Sequence, residues 1–315
     1  MNTAVSPHTA NTSVSATSAK QALGASVNIP PRRMDFEFDP ATLPRYYYGN
    51  DPFCSTFMTA FSSLLPEGER FFVEAVRHYR DQITDPILKA QISGFIGQEA
   101  MHSKEHEAFN AAATAQGYPV DQLDKAVGGL LRLGQKILPW SAQLAITVAL
   151  EHYTAIIAEM LLRDENVQQK FSPEMRHLWM WHAVEENEHK VVAYDVYEKA
   201  VGNYALRVGV MVPVTTILFA VQFAYHARLL AHDGNLFKLR DNWASFKYLW
   251  NGKKGVFSRL LPQYLDYYKR DFHPNNHDTT ELLSVWREKL FGAQGLIPPK
   301  TRKPAAKKQA VANVH

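Results

Sequence analysis

Cysteine is nearly absent from this chain: Cys54 is the only one in 315 residues. A disulfide within the chain is therefore excluded, as is any zinc or iron–sulfur site built on several thiolates. A reducing, cytoplasmic setting fits that usage. No sign of charge dominates either. The net charge of +3 is too small to imply nucleic acid as a partner, and no zinc-finger or RNA-binding signature supports one. The N-terminus lacks an apolar core flanked by basic residues, so no secretory signal is expected. A transit-peptide role lacks support because arginine is missing before Arg32. Large apolar residues are scarce over residues 1–30, and a disordered arm is expected across 1–34.

Elsewhere the chain is rich in core-forming residues, 46% hydrophobic and 12% aromatic, with ample length for a core. Residues 35–203 read as a helical bundle, 204–292 as a further helical region, and 293–315 as a disordered basic tail carrying Lys300, Arg302, Lys303, Lys307 and Lys308. Residues 31–52 read as irregular, punctuated by prolines. Helical pattern starts near Phe53 and is interrupted at Pro66-Glu-Gly68. Four bundle helices are then predicted. The first runs from Glu69 to Tyr79, and the second covers roughly 85–116, up to Gly117-Tyr-Pro119. The third runs from about Pro139 to Arg163. The fourth starts with Ser172 as cap and Pro173 in the first turn, and reaches about Gly202. A connection with Gly128, Gly129 and Gly134, holding a short helix, joins the two halves. Short turns make each pair antiparallel, and the longer connection crosses the bundle. No strand-like alternation competes.

Two of these helices carry Glu-x-x-His: Glu99 with His102, and Glu186 with His189. Residues three and four apart share a helix face, so His182 joins Glu186 and His189. Such motifs on two helices, each preceded by a helix with a suitably placed glutamate, suggest a dinuclear metal site inside a four-helix bundle. Depth selects those glutamates. Glu69 lies 14 residues before the turn at 83–85 and Glu99 lies 14 after it. At ~1.5 Å per residue, Glu74 is about 7–8 Å too shallow. Glu151 and Glu186 are likewise each 14 residues from the turn at 165–172.

Four carboxylates balance two divalent ions, and one neutral imidazole per ion completes a mixed oxygen/nitrogen set that suits iron or manganese. His182 is a third candidate imidazole ligand. His106, one turn after His102, reads as an ordinary hydrogen-bonded histidine. Glu174 and His177 repeat the spacing but have no glutamate at matching depth, so they read as capping and surface residues. The bland alternative for the six core positions is a set of solvated, salt-bridged faces. It fits poorly with the apolar and aromatic flanks at Phe95-Ile96, Ala145 to Leu150 and Trp179 to Trp181.

These residues resemble the ferritin-like di-metal carboxylate superfamily. More narrowly, Pro66-Glu-Gly-Glu-Arg-Phe-Phe, Gln98-Glu-Ala-Met-His-Ser-Lys-Glu-His, Trp181-His-Ala-Val-Glu-Glu-Asn-Glu-His-Lys and Phe272-His-Pro-Asn resemble the bacterial family named predicted metal-dependent hydrolases, over about residues 35–290. The resemblance implies an all-α, ferritin-like four-helix bundle with additional C-terminal helices. It implies Glu69, Glu99, His102, Glu151, Glu186 and His189 as ligands and catalytic centre, with Glu99 and Glu186 bridging. Gln98 and Glu185 stand where such proteins orient the opposite histidine. His182 is similar in position to the extra histidine of the arylamine N-oxygenases.

Val208 to Tyr225 is just long enough to span a bilayer. Pro213 and the lack of a lysine/arginine bias favour a buried fifth helix or an interfacial one. The basic and aromatic residues that follow, from Trp243 to Arg270, fit either a membrane surface or a cap on the bundle. His273 and His277 show no carboxylate partner in the sequence and are not assigned to metal.

The expected protein is therefore a metal-dependent enzyme with two iron ions, or manganese in their place. It would activate O2 to oxidise a small apolar, even lipid-like, substrate, with an electron donor that the sequence does not identify. A homodimer and a membrane surface are compatible partners. The alternatives are a hydrolase using metal-activated water, and a non-catalytic iron-storage or membrane-associated protein. A cage of the storage kind would be obstructed by the long C-terminal region.

Overall fold

A computed structural model describes residues 27–297. Among them the chain is all-α, with one isolated bridge between Tyr48 and Phe171. Helix α1 (Pro52–Ser62) is capped by Asp51. It turns directly into α2 (Leu65–Tyr79), so Pro66 and Gly68 lie inside the first turns of a helix rather than interrupting one. Proline is tolerated there because the first N–H groups have no partner within the helix. Helix α3 (Pro86–Ala115) starts at Asp85, whose carboxylate accepts from the Ile87 N–H at 2.8 Å.

The connection between the halves holds a full 18-residue helix, α4 (Val120–Ile137), lying against α2 and α3. Helix α5 (Trp140–Arg163) and the short α6 (Glu165–Gln168) lead to α7 (Pro173–His189). Ser172 precedes α7, but its hydroxyl makes no capping bond. Its N–H instead donates to the Tyr47 carbonyl at 2.7 Å. The fourth helix also ends sooner than the sequence pattern suggests. It stops at His189 and resumes as α8 (Val192–Ala200). Between them, the buried Lys190 ammonium is held by the His277 carbonyl and the Thr279 hydroxyl.

Helix α2 packs on α3 and α5 on α7, while contacts of α2 with α5 and of α3 with α7 close a four-helix arrangement. From Leu178 to His189 every residue of α7 is buried. A helix buried all round belongs at the centre of the fold, and here its polar residues face one another across the bundle.

The segment before the bundle is not a free arm throughout. Residues 1–26 of the expected arm lie outside the described residues, but Ile29, Arg32 and Met34 are buried. Two glycines make room for this strap. A Cβ on Gly94 would meet the Ile29 carbonyl oxygen at 2.5 Å, and one on Gly97 would meet Pro31 at 2.3 Å. Of the expected basic tail, Ile297 is buried, with its N–H bonded to the Leu290 carbonyl. Residues 298–315 lie outside the described residues.

Helix α9 (Tyr204–His232) packs on α1 and α5. Gln222 and His226 anchor it by donating to the Phe57 and Phe53 carbonyls. It is not the buried fifth helix considered from sequence. Only 11% of its most apolar window is buried, against 83% for α5, the other helix long and apolar enough to cross a membrane. One side of α9 meets the bundle and the other is exposed. Helices α10 (Leu239–Trp250), α11 (Leu261–Asp266) and α12 (Thr280–Phe291) complete the chain, α10 on α1, α11 on α5, and α12 on α7 and α5.

Candidate metal centre

The four bundle helices deliver their acidic and imidazole groups to one depth. Glu69 comes from α2, Glu99 and His102 from α3, Glu151 from α5, and His182, Glu186 and His189 from α7, all buried. Their ligand atoms form three groups, each with all atoms within 4.8 Å of one another: Glu69 with His102 and His182, Glu99 with Glu151 and His189, and Glu99 with His102 and Glu186. Glu99 is shared, which is the arrangement a bridging carboxylate between two ions requires. Glu74, the shallower alternative, is exposed and paired with Arg77. Glu174 is exposed, His177 is half-buried, and neither joins the cluster.

The orientation of each histidine follows from what its outer nitrogen touches. Gln98 Nε2 donates to the Pro30 carbonyl at 3.2 Å and to Glu188 at 2.7 Å. Its Oε1 therefore faces His189 Nδ1, 2.9 Å away, which must carry the proton. His189 Nε2 is left as a lone pair, 3.0 Å from Glu99 Oε1. In the other half, His102 Nε2 lies 3.2 Å from Glu185 Oε2, and His102 Nδ1 faces Glu186 at 3.4 Å. Gln98 on α3 thus positions the histidine of α7, and Glu185 on α7 lies beside the histidine of α3.

The cluster fits a metal pair on the chemistry of its donors. Glu69 Oε1, both oxygens of Glu99 and of Glu151, Glu186 Oε2 and His189 Nε2 are buried with no hydrogen-bond partner. Each such atom costs on the order of 1–3 kcal/mol or more when left unsatisfied, so a concentration of them aimed at one point marks a site for cations. Electrostatics agree. Burial, and then the neighbouring carboxylates, push Glu69, Glu99 and Glu151 well above the usual range. Burial alone would lower His102, but Glu185, Glu186 and Glu99 hold it well above its ordinary value. Burial would likewise raise Glu186, yet its contact with His102 holds it well below. Without cations, the centre is a set of carboxylates that cannot all be ionised together.

Two residues of this region had no signal in the sequence. Arg32, on the strap, donates to Glu185 at 2.9 Å and makes two bonds of 2.7 Å to Glu188. Arg287 on α12 also reaches Glu188, at 2.6 Å. Both carboxylates are buried, and without these guanidinium groups they would lack a cationic partner on this side. Glu188 also holds Gln98, which orients His189, and Glu185 lies directly beside His102. His106 makes no contact with the carboxylates. It bonds His182 Nδ1 through Nε2 and the Ser62 hydroxyl through Nδ1, both at 2.8 Å. His273 and His277, expected to lack carboxylate partners, have them: Asp195 and Asp266, each at 3.0 Å. The sequence could not show these pairs because folding brings them together from different elements.

A cavity of about 240 Å³ opens between α2, α4, α5 and α9, and among the described residues Glu69 is the one charged residue that lines it. Its walls include Leu65, Phe72, Leu131, Leu150 and Val214. Thr154, also on the wall, turns its hydroxyl to the Glu151 carbonyl.

Fold and site together define an all-α protein with a buried carboxylate–histidine centre suited to metal. The chain belongs to the family described as predicted metal-dependent hydrolases, whose model matches residues 30–278. That description is of a metal-dependent enzyme, and the candidate ligands all fall within the matched span. Neither the curated proteins nor the solved structures contain a match.

Proposed function

We propose that this protein is a two-metal enzyme of the ferritin-like kind, with iron in the centre, that oxidises a small apolar substrate with dioxygen. The observation that carries this reading is the apolar cavity ending on Glu69. At about 240 Å³ it exceeds the ~150 Å³ of an apolar cavity known to admit benzene. Apart from Glu69, Tyr153 and Thr154 its lining is apolar, which suits an apolar substrate better than a charged one. Bound iron would supply electrons and open positions for dioxygen. Glu69 and His102 would hold one ion, Glu151 and His189 the other, with Glu99 and Glu186 shared and His182 adding a third imidazole. Ser103 steadies Glu69 through a 2.9 Å bond to Oε2, and the apolar walls exclude water.

The substrate class follows from the rim as well as the walls. Leu130 on α4 and Ile217 on α9 line the cavity and are also exposed, next to exposed Leu133, Ile137 and Val212. An apolar wall continuous with an apolar surface suits a lipid-like molecule, and a membrane surface as its source.

The second reading, favoured by the family's description, is hydrolysis by a metal-activated water. One experiment separates the two. Protein loaded anaerobically with ferrous iron should hold two ions per chain, consume dioxygen on mixing, and do so faster with an apolar substrate. Leu150→Trp, which fills the cavity, should remove the substrate's effect while leaving metal content intact. Turnover of esters, amides or phosphoesters without oxygen, supported equally by manganese or zinc, would select the hydrolase instead.

A further inference from the structure

We infer that Asn110, Ser62 and His106 form a hydrogen-bond chain of fixed polarity, which holds His182 in the tautomer that presents a bare Nε2 to the metal centre. The inference rests on the two-metal reading above and assigns roles to three residues outside the ligand set. The chain begins at a group that can only accept, the Ser62 carbonyl. Asn110 Nδ2 lies 3.2 Å from it, which sets the amide's orientation and turns Oδ1 towards the Ser62 hydroxyl, 2.9 Å away. An amide oxygen cannot donate, so the hydroxyl proton is committed to it.

The Ser62 oxygen is then an acceptor for His106 Nδ1 at 2.8 Å, and His106 must carry its proton there. A neutral imidazole has one N–H, which leaves His106 Nε2 as a lone pair. It can only accept from His182 Nδ1–H, at 2.8 Å. His182 Nε2 therefore bears a lone pair. It lies 3.0 Å from Glu186 Oε1, among ligand atoms of Glu69 and His102.

Two acceptors meet at that point, and a cation between them removes the conflict. Ser62, His106 and Asn110 are all buried, so bulk water does not compete for the bonds. The chain joins α1, α3 and α7. His106 is accordingly a positioning residue, one step behind the ligand. Gln98 does the same for His189, so two of the three imidazoles have their outer nitrogen committed before a metal arrives.

The test uses full-length wild-type protein and the variants His106→Leu, His106→Gln and Ser62→Ala. Each is stripped of metal and titrated with Zn²⁺ and, for its visible spectrum, Co²⁺. Histidine ¹⁵N–¹H spectra of the zinc form report the tautomer. In the wild type, His182 should carry its proton on Nδ1. His106→Leu should weaken one of the two metal sites ~10–100-fold, the usual effect of losing a group that orients a ligand, and change the cobalt spectrum. His106→Gln keeps an acceptor oxygen for His182 and should restore most of the affinity. Ser62→Ala, cut one step further out, should show a smaller loss at the same site, and it carries the test should His106→Leu fail to fold. Wild-type affinity and spectrum in both His106→Leu and Ser62→Ala, or a proton on His182 Nε2 in the wild type, would overturn the inference while leaving the two-metal reading in place. A wild-type protein that takes up no metal would overturn both.

Discussion

Arg32 shows how a residue that touches no candidate ligand can govern the centre. Its guanidinium bridges Glu185 and Glu188, and through them steadies His102 and Gln98. A planar fork can serve two carboxylates together, which a lysine ammonium does poorly. Arg32→Ala leaves Glu185 with only the 3.2 Å approach of His102, and Glu188 with Arg287 and Gln98. The expected cost is about 3–5 kcal/mol, the penalty for breaking a buried ion pair from one side. It should be read as a lower denaturant midpoint at unchanged slope, and Arg32→Lys should recover only part of it. Sequence could name the candidate ligands but not this support. Glu99, His102, Glu186 and His189 announce themselves by spacing on one helix, whereas Arg32 and Glu188 are 156 residues apart and meet only because Gly94 and Gly97 let the strap lie down on α3. His106 was legible as a histidine one turn from His102, but its partner Ser62 lies on another helix.

Among the elements, α9 is the one whose role changes most on folding. Its composition is compatible with a membrane span, a core helix or an interfacial helix. The packing leaves it half-covered, with Gln222 and His226 turned inward to carbonyls of α1. His226 is a pH-dependent anchor. Burial draws it down to about 4, despite its bond to the Phe53 carbonyl and the nearby Asp51 carboxylate. The unfolded chain takes up that proton below about 6.5, so the unfolded state binds more protons between the two values, and stability falls as pH drops through that window. Integrated from neutral pH to pH 5, this amounts to about 2 kcal/mol. His226→Gln keeps a donor for the carbonyl and should flatten the fall in unfolding free energy between pH 7 and pH 5 by roughly that amount. An unchanged slope would remove His226 as its source. The element boundaries that sequence misjudged have local causes. Pro66 and Gly68 were read as a break although proline suits a first turn. The stop at His189 is invisible to periodicity because apolar residues continue through Val191 and Val192.

At the scale of the whole molecule, the centre is a cost until it is filled. Four buried carboxylates at the middle of a bundle oppose folding, and a ligand that binds only the folded state stabilises it by mass action. Protein stripped with a chelator should therefore unfold at a lower temperature than loaded protein. At a free metal concentration 100 times the dissociation constant, the difference should approach about 2.7 kcal/mol per site. Unfolding scans across a metal series check this. A midpoint independent of metal would count against the cluster as a binding site.

The sequence by itself determined the helical class, the two Glu-x-x-His faces and, through equal distances from the turns, which glutamates could share their depth. Helical rise and repeat are local properties, so residue spacing carries them. Tertiary structure decided everything that depends on which faces meet. It brought the strap onto Gly94 and Gly97 and Arg32 onto Glu185 and Glu188. It aligned the polarity that runs from Asn110 to His182, and it left an apolar cavity between α4 and α9 that ends on Glu69. Those contacts arise from packing between distant segments, and no periodicity in the chain encodes their partners.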